Sequence, residues 1–367
     1  LHITAQSFRN EIDAKPELSA SNCLAYPTPS GKLTPPPTGY VPVHISHYGR
    51  HGSRYLLSDN DYLRPLRTLE RADSAGVLTH KGRATMAKLR RMYAESYKRW
   101  GELTPLGAEQ HRQIARRMYQ RFPSVFADSV WVDAKSTVVI RCILSMESEL
   151  LELLRHNPRL RIRHDASDHD MYYMNLHDAN LARQRENDEV KRTMKDWEKR
   201  HLNSQPLMSR LFTNTDYVVK NVDAEQLTND LFGLTGIVQN SEIRHSLTLY
   251  DLFTPDERYL LWQRSNVWWY LHFAGAPQNG GRQPFSQRNL LRNIISEADS
   301  CLALPRPGAT LRFGHETMVM PLACLLNLNG SYVQVAQVDS LEAHGWIASR
   351  IFPMAANIQL VFYKNSK

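Results

Sequence analysis

A histidine between two arginines stands in the stretch His47-Tyr48-Gly49-Arg50-His51-Gly52-Ser53-Arg54-Tyr55. Nearby positive charge disfavours protonation of an imidazole, so His51 keeps a ring nitrogen free to attack an electrophile. Each guanidinium offers a planar fork that matches phosphate oxygens, and the glycines let backbone N–H groups come close to an oxyanion. The chemistry these residue types imply is attack on phosphorus, with His51 as nucleophile and Arg50 and Arg54 as phosphate ligands. A metal is not expected: His44, His47 and His51 are close in sequence, but strand alternation splits their faces and no carboxylate accompanies them.

The elements that must position this loop follow from pattern. Residues 41–46 alternate β-branched and other residues and run into Gly49 and Gly52, which reads as a strand entering a tight loop. A proline-rich arm over 20–42 precedes it. Residues 61–100 have helical spacing, and a further helix opens at Thr104 as cap with Pro105 in the first turn. The β-branched run 130–143, continuously apolar at Val138, Val139 and Ile140, predicts a strand covered on both faces. Residues 146–154 return as helix. The stretch 155–290 is mainly helical and lacks strand signals, so it reads as an inserted helical domain, with Trp268, Trp269 and Tyr270 in helix core rather than stacked on bases. Residues 309–314 form a short strand that passes through His315-Glu316-Thr317 into a helix over 318–326, and 332–338 and 357–363 are further strands. The expected architecture is α/β: a central mixed sheet flanked by helices, built from 1–154 and 291–367, with an α-helical insertion over 155–290.

Composition bounds the partners. The 367 residues carry 45 Lys+Arg against 37 Asp+Glu, a formal net charge of +8, with 42% hydrophobic and 22% charged residues. That excludes disordered and fibrous classes, and no apolar run reaches the roughly 18 residues of a membrane span. The basic excess favours an anionic partner, nucleic acid, lipid surface or phosphorylated small molecule alike. No nucleic-acid motif is present. The basic stretch 81–99 and the mixed stretch 183–200 read as solvated helix faces, with steering of a polyphosphate as their alternative role. Cys23, Cys142, Cys301 and Cys324 are too widely spaced for a zinc knuckle or a CxxC pair, leaving up to two disulfides open. The chain opens at Leu1 and its first twenty residues hold no apolar leader, so any secretory signal is expected to have been removed or never to have been there.

The loop resembles the R-H-G-x-R signature of the histidine phosphatases, in the branch of acid phosphatases and phytases. That branch places a second motif far downstream, where a strand ends in His followed by an acid at a helix start; Phe313-Gly314-His315-Glu316-Thr317 matches in type, order and context. A leaving alcohol must be protonated as the P–O bond breaks, which Glu316 would supply, while His315 would donate to a phosphoryl oxygen beside the helix N-terminus. The resemblance also implies a third cation, Arg141. Alone it reads as a strand-end surface arginine, but within Ser-Thr-Val-Val-Ile-Arg-Cys-Ile-Leu its burial would be costly without an anion.

Within the branch, the first motif, Ser136 to Arg141 and the C-terminal stretch 345–363 are most similar to bacterial multiple inositol polyphosphate phosphatases. The resemblance implies a phytase that needs no cofactor, takes an inositol polyphosphate as substrate, and is periplasmic or secreted. It also brings Lys32 in the proline-rich arm toward the cleft. Two departures stand out. The subgroup commonly has His-Ala-Glu where this chain has His315-Glu316-Thr317, so the acid is one place nearer the histidine. The hairpin arm at 360–363 is followed in relatives by another strand, whereas this sequence ends at Lys367.

Overall fold

Five strands form one sheet in the computed structural model, which describes residues 8–29, 31 and 34–365. Lys32 lies outside the described residues. The strands are β1 (Tyr40–Arg50), β2 (Trp131–Ser136), β3 (Arg161–Asp165), β4 (Gly308–Gly314) and β5 (Asn357–Asn365), in the order β3-β2-β4-β1-β5. Every pairing is parallel except β5 against β1, so the sheet is mixed, as expected. All seven residues of β4 are buried, as befits a central strand covered by helices on both faces. The edge strand β3 exposes Arg161, Arg163, His164 and Asp165, charges that discourage edge-to-edge pairing.

Helices follow their caps. Thr104 accepts a hydrogen bond from the Gly107 N–H ahead of the helix Pro105–Arg121, as the sequence predicts. The run 61–100 is two helices, Asn60–Ser74 and His80–Ser96, broken where Gly76 takes a positive φ of 69°.

Three expectations are corrected. Residues 138–140 are not a strand: β2 ends at Ser136, and Ile140 opens the helix Ile140–His156. Val138 is 44% and Ile140 68% exposed. The buried face of that helix, Cys142, Met146, Leu150 and Leu153, has helical spacing that sets its rotation and outweighs the strand propensity of three β-branched residues. Residues 332–338 also lie outside the sheet. The Val335 N–H donates to the Tyr270 hydroxyl at 2.6 Å, so a buried side chain satisfies backbone where a strand partner was expected. Finally, β3 lies beyond residue 154, so the sheet draws a strand from the region read as mainly helical and without strand signals.

Three large hydrophobic cores and a smaller one around Phe8, Ile12, Trp262 and Ile347 hold the described residues together. On one face Ile45, Val132, Leu311 and Phe313 pack against Met118, Met146 and Leu150. On the other Tyr48 meets Met318, Val319 and Leu322, together with Leu290, Trp269 and Tyr270. The third core joins Leu66, Leu69, Met86 and Leu89 to Leu207, Leu231, Leu234 and Leu261, so the helices of 60–96 pack with the helical region. Cys23, Cys142, Cys301 and Cys324 are free thiols, and none of the described helices is long and apolar enough to cross a membrane.

Candidate active site

Register brings the two motifs together. In the β1–β4 ladder Arg50 lies opposite Gly314, so His51 and His315 leave the C-terminal ends of adjacent parallel strands side by side, their rings 5.8 Å apart. Ligand sites of open α/β sheets gather at such strand ends. The loop after β1 is tied down residue by residue. The Arg50 N–H donates to the Ala356 carbonyl (2.8 Å) and the His51 N–H to the Gly314 carbonyl (2.9 Å). The Gly52 N–H donates to Ser145 Oγ (3.1 Å) and the Ser53 N–H to Gln110 Oε1 (2.9 Å). These four N–H groups are committed within the fold, so the expected backbone cradle is not formed by them. The groups facing an anion are side chains. Gly52 instead serves packing, since a Cβ there would lie 2.4 Å from the Gly107 carbonyl oxygen at the start of the helix Pro105–Arg121. Gly314 is similar, with the Tyr48 hydroxyl 2.2 Å from where its Cβ would be.

His51 is fully buried. Its Nδ1 lies 2.9 Å from the Gly52 carbonyl, which can only accept, so Nδ1 carries the proton. Nε2 keeps its lone pair and has no hydrogen-bond partner among the described residues. It faces Glu316 Oε2 at 3.3 Å, and the same oxygen is 3.1 Å from Arg50 Nε. Glu316 Oε1 is 3.9 Å from Arg54 Nη2. Arg50 is anchored from both ends of the chain, Nη1 donating to the Asn22 carbonyl (2.6 Å) and the Phe352 carbonyl (2.8 Å). Arg54 Nη1 donates to the Tyr55 carbonyl (2.9 Å). His315 stands at the N-cap position of the helix Glu316–Leu325 without a side-chain capping bond, its Nε2 3.2 Å from Thr137 Oγ1.

The structure thus brings His51, Arg50, Arg54, His315 and Glu316 into one cluster. Arg141 sits in the first turn of the helix Ile140–His156, its guanidinium Nη1 3.5 Å from the Gly101 carbonyl and its buried Nε without a hydrogen-bond partner. It feels the charges of Arg54 and Glu316. The burial argued for it from sequence holds in part, through a helix start rather than a strand.

The electrostatics suit an anion. Burial holds His51 well below the usual imidazole value, with Glu316 pulling it up and Arg50 and Arg54 pushing it further down, so the ring is neutral. Burial raises Glu316, but the cations beside it, Arg50 first and then Arg54, outweigh burial and keep the carboxyl well below the ordinary range. His315 is pushed down to about 4, chiefly by burial. Donor atoms of His51, His315 and Glu316 all lie within 4.8 Å of one another, a spacing that would accommodate a metal ion. The adjacent guanidinium groups of Arg50 and Arg54, with Arg141 nearby, oppose a cation and favour phosphate.

Several supporting residues carry no motif in the sequence. Ser53, the variable place in R-H-G-x-R, is a hub: its Oγ donates to Asn240 Oδ1 (2.6 Å) and accepts from Gln110 Nε2 (2.8 Å), while Asn240 Nδ2 donates to the Cys23 carbonyl (2.7 Å). Gln110 lies nearly two turns beyond the cap at Thr104, on the helix whose start packs against the loop. Asn240 and Thr137 are marked by no signal in the sequence.

The architecture is that of solved phosphatases acting on inositol phosphates. No family model matches the chain, and neither does any curated protein. Among solved structures, the Bifidobacterium longum multiple inositol polyphosphate phosphatase in complex with phosphate matches with TM-score 0.73 and 20% identity, over 95% of this chain and 88% of that one. Its complex with inositol hexasulfate matches with TM-score 0.71 and 20% identity, over 94% and 89%. A phytase from D. castellii matches with TM-score 0.65 and 15% identity, over 95% and 76%. At these identities the likeness establishes a shared fold.

Proposed function

We propose that the protein is a histidine phosphatase that hydrolyses phosphomonoesters of inositol polyphosphates, chiefly myo-inositol hexakisphosphate. The observation that carries this reading is the bare Nε2 of a buried, neutral His51, set 3.3 Å from the Glu316 carboxylate and flanked by Arg50 and Arg54. His51 Nε2 attacks phosphorus in line with the ester oxygen; the N–P bond forms as the P–O bond breaks, giving phosphohistidine and the inositol alcohol. Arg50, Arg54, Arg141 and His315 hold the equatorial oxygens as charge spreads over them. Glu316 gives its proton to the departing oxygen, then takes one from the water that hydrolyses phosphohistidine, which returns the proton it lost. The carboxyl changes state as the cations change partner. At rest Arg50 and Arg54 keep it ionised; a bound phosphate engages them and adds negative charge, which raises its pKa toward that of a working acid.

The net charge of +8 and the fold shared with inositol polyphosphate phosphatases support the substrate class. The same reading carries an exported location, periplasmic or secreted, which fractionation of the native cells tests. Phosphate release from myo-inositol hexakisphosphate, with chelator present, tests the mechanism. Wild type should turn over, His51→Ala should lose all release, and Glu316→Gln should lose about 10²–10⁴-fold in rate. Equal kcat/KM on simple monoesters and hexakisphosphate would point to a broad acid phosphatase. Binding without release would make the protein a polyphosphate binder.

A further inference from the structure

The segment Pro16–Cys23 packs on two helices, Ala224–Ile237 and Pro255–Phe273. Gly236 lets the first of them come close, since a Cβ there would lie 3.2 Å from the Ala20 Cβ. Nearly one turn earlier the surfaces part. A Cβ on Gly233 would meet nothing within 4 Å, and a cavity of about 170 Å³ opens there, walled by Gly233, Asn229 and Phe232 on that helix, by Ser265 on the other, and by Ser21 and Asn22 on the segment.

The wall is polar, and its charges are spent. Arg264 is committed to Glu198 at 2.7 Å, and burial raises the Cys23 thiol, which stays protonated. Its hydrogen-bonding capacity is unspent. Ser265 Oγ and Ser21 Oγ are 2.9 Å apart, so whichever donates, one hydroxyl hydrogen is left without an acceptor among the described residues, although Ser21 is 2% exposed. The side-chain amides of Asn22 and Asn229 make no hydrogen bond among the described residues. Donors and acceptors without a free charge, beside the Phe232 ring, suit a neutral polyol whose hydroxyls meet the amides and whose C–H face meets the ring.

The same wall supports the catalytic cluster. The Asn22 carbonyl accepts from Arg50 Nη1 at 2.6 Å, and Arg50 Nε is 3.1 Å from Glu316 Oε2. Just before Asn22, Ser21 takes φ 53° and ψ −123°, a conformation unfavourable for an L residue that its surroundings must hold. A ligand bonded to the Ser21–Ser265 pair and the Asn22 amide therefore steadies the backbone that presents the Asn22 carbonyl to Arg50.

We propose that this cavity is a binding site for a neutral cyclic polyol, positively coupled through Asn22 to anion binding at Arg50. The inference rests on the reading of Arg50 as a phosphate ligand and goes beyond it, adding a second site for the class of dephosphorylated cyclitol that the proposed reaction leaves behind.

Titration of myo-inositol into the wild-type protein, followed by ligand-observed NMR, should give a Kd of about 0.1–10 mM. Saturating myo-inositol should tighten calorimetric binding of inositol hexasulfate about fivefold, and saturating hexasulfate should tighten myo-inositol by the same factor. A polyol seated among the catalytic residues would instead compete with hexasulfate. Gly233→Leu puts a side chain into the cavity, and Asn229→Leu removes an unbonded amide; each should weaken myo-inositol binding by about tenfold or more and abolish the coupling, with circular dichroism showing that each is folded. No binding of either ligand to the wild type, competition between them, myo-inositol binding that persists in either variant, or equal tightening by glycerol would overturn the site. Phosphate release from hexakisphosphate separates the two proposals. Turnover without myo-inositol binding leaves the phosphatase reading standing and removes the polyol site, whereas coupled binding without turnover does the reverse.

Discussion

His51 has one nitrogen committed and one free, and that division comes from the Gly52 carbonyl 2.9 Å from Nδ1. Burial then keeps the free nitrogen unprotonated at pH values where an ordinary histidine would be charged. On the proposed mechanism the acid limb of kcat/KM for hexakisphosphate should therefore fall below the ordinary imidazole value of about 6.5. A pH–rate profile measures it. An acid limb near that ordinary value would mean that His51 titrates freely and is not the buried nucleophile described here. His51 and its flanking arginines were legible as residue types with a chemistry in common, and Glu316 was legible through the resemblance of the second motif to that of the histidine phosphatases. Their orientation was not. Nothing in Arg-His-Gly-Ser announces that four consecutive N–H groups are spent on Ala356, Gly314, Ser145 and Gln110.

Elements hold the loop through the Ser53 hub, where the helix Pro105–Arg121, the arm carrying Cys23 and the segment carrying Asn240 converge. Asn240→Ala strands the Ser53 hydroxyl and the Cys23 carbonyl in a buried place and should cost about 1–3 kcal/mol. Because Asn22 and Cys23 stand beside Arg50, kcat should fall as well. Denaturant unfolding of Ser53→Ala, Asn240→Ala and the double variant should give a coupling of about 0.5–3 kcal/mol. Additive effects with unchanged kcat would reduce the hub to ordinary packing. Elements with a self-contained signal were legible: the capped helix from Pro105, the strand leaving the glycine loop, and β4 ahead of its histidine. Those that depend on distant partners were not. Val138 to Ile140 read as strand because β-branched residues prefer strands, yet the apolar spacing from Cys142 onward required a helix. Residues 332–338 alternate like a strand, but their backbone is taken up by the Tyr270 hydroxyl.

At the scale of the whole molecule, many histidines are buried in the neutral state. His44, His47, His51, His272 and His315 are all lowered from the usual imidazole value, each chiefly by burial. Unfolding releases them to titrate near about 6.5. Below that pH the unfolded chain binds protons that the fold refuses, so stability falls as pH falls, down through about 4, where His315 titrates in the fold. Above it they are neutral in both states and contribute no slope. Calorimetric Tm should decline steadily from pH 6.5 to 4, and a Tm that rises on acidification would contradict the burial of these rings. Carboxylates held low, such as Glu316 and Asp178, act in the same direction but in a lower window, below their unfolded values near about 4.

Arg50 is anchored by the carbonyls of Asn22 and Phe352, one from each end of the chain. During synthesis Asn22 leaves the ribosome long before Phe352, so this guanidinium waits for the intervening chain before its second carbonyl arrives. The proposed site is therefore completed only once Phe352 has emerged, and a product terminated before that residue carries the signature loop without the second anchor of Arg50.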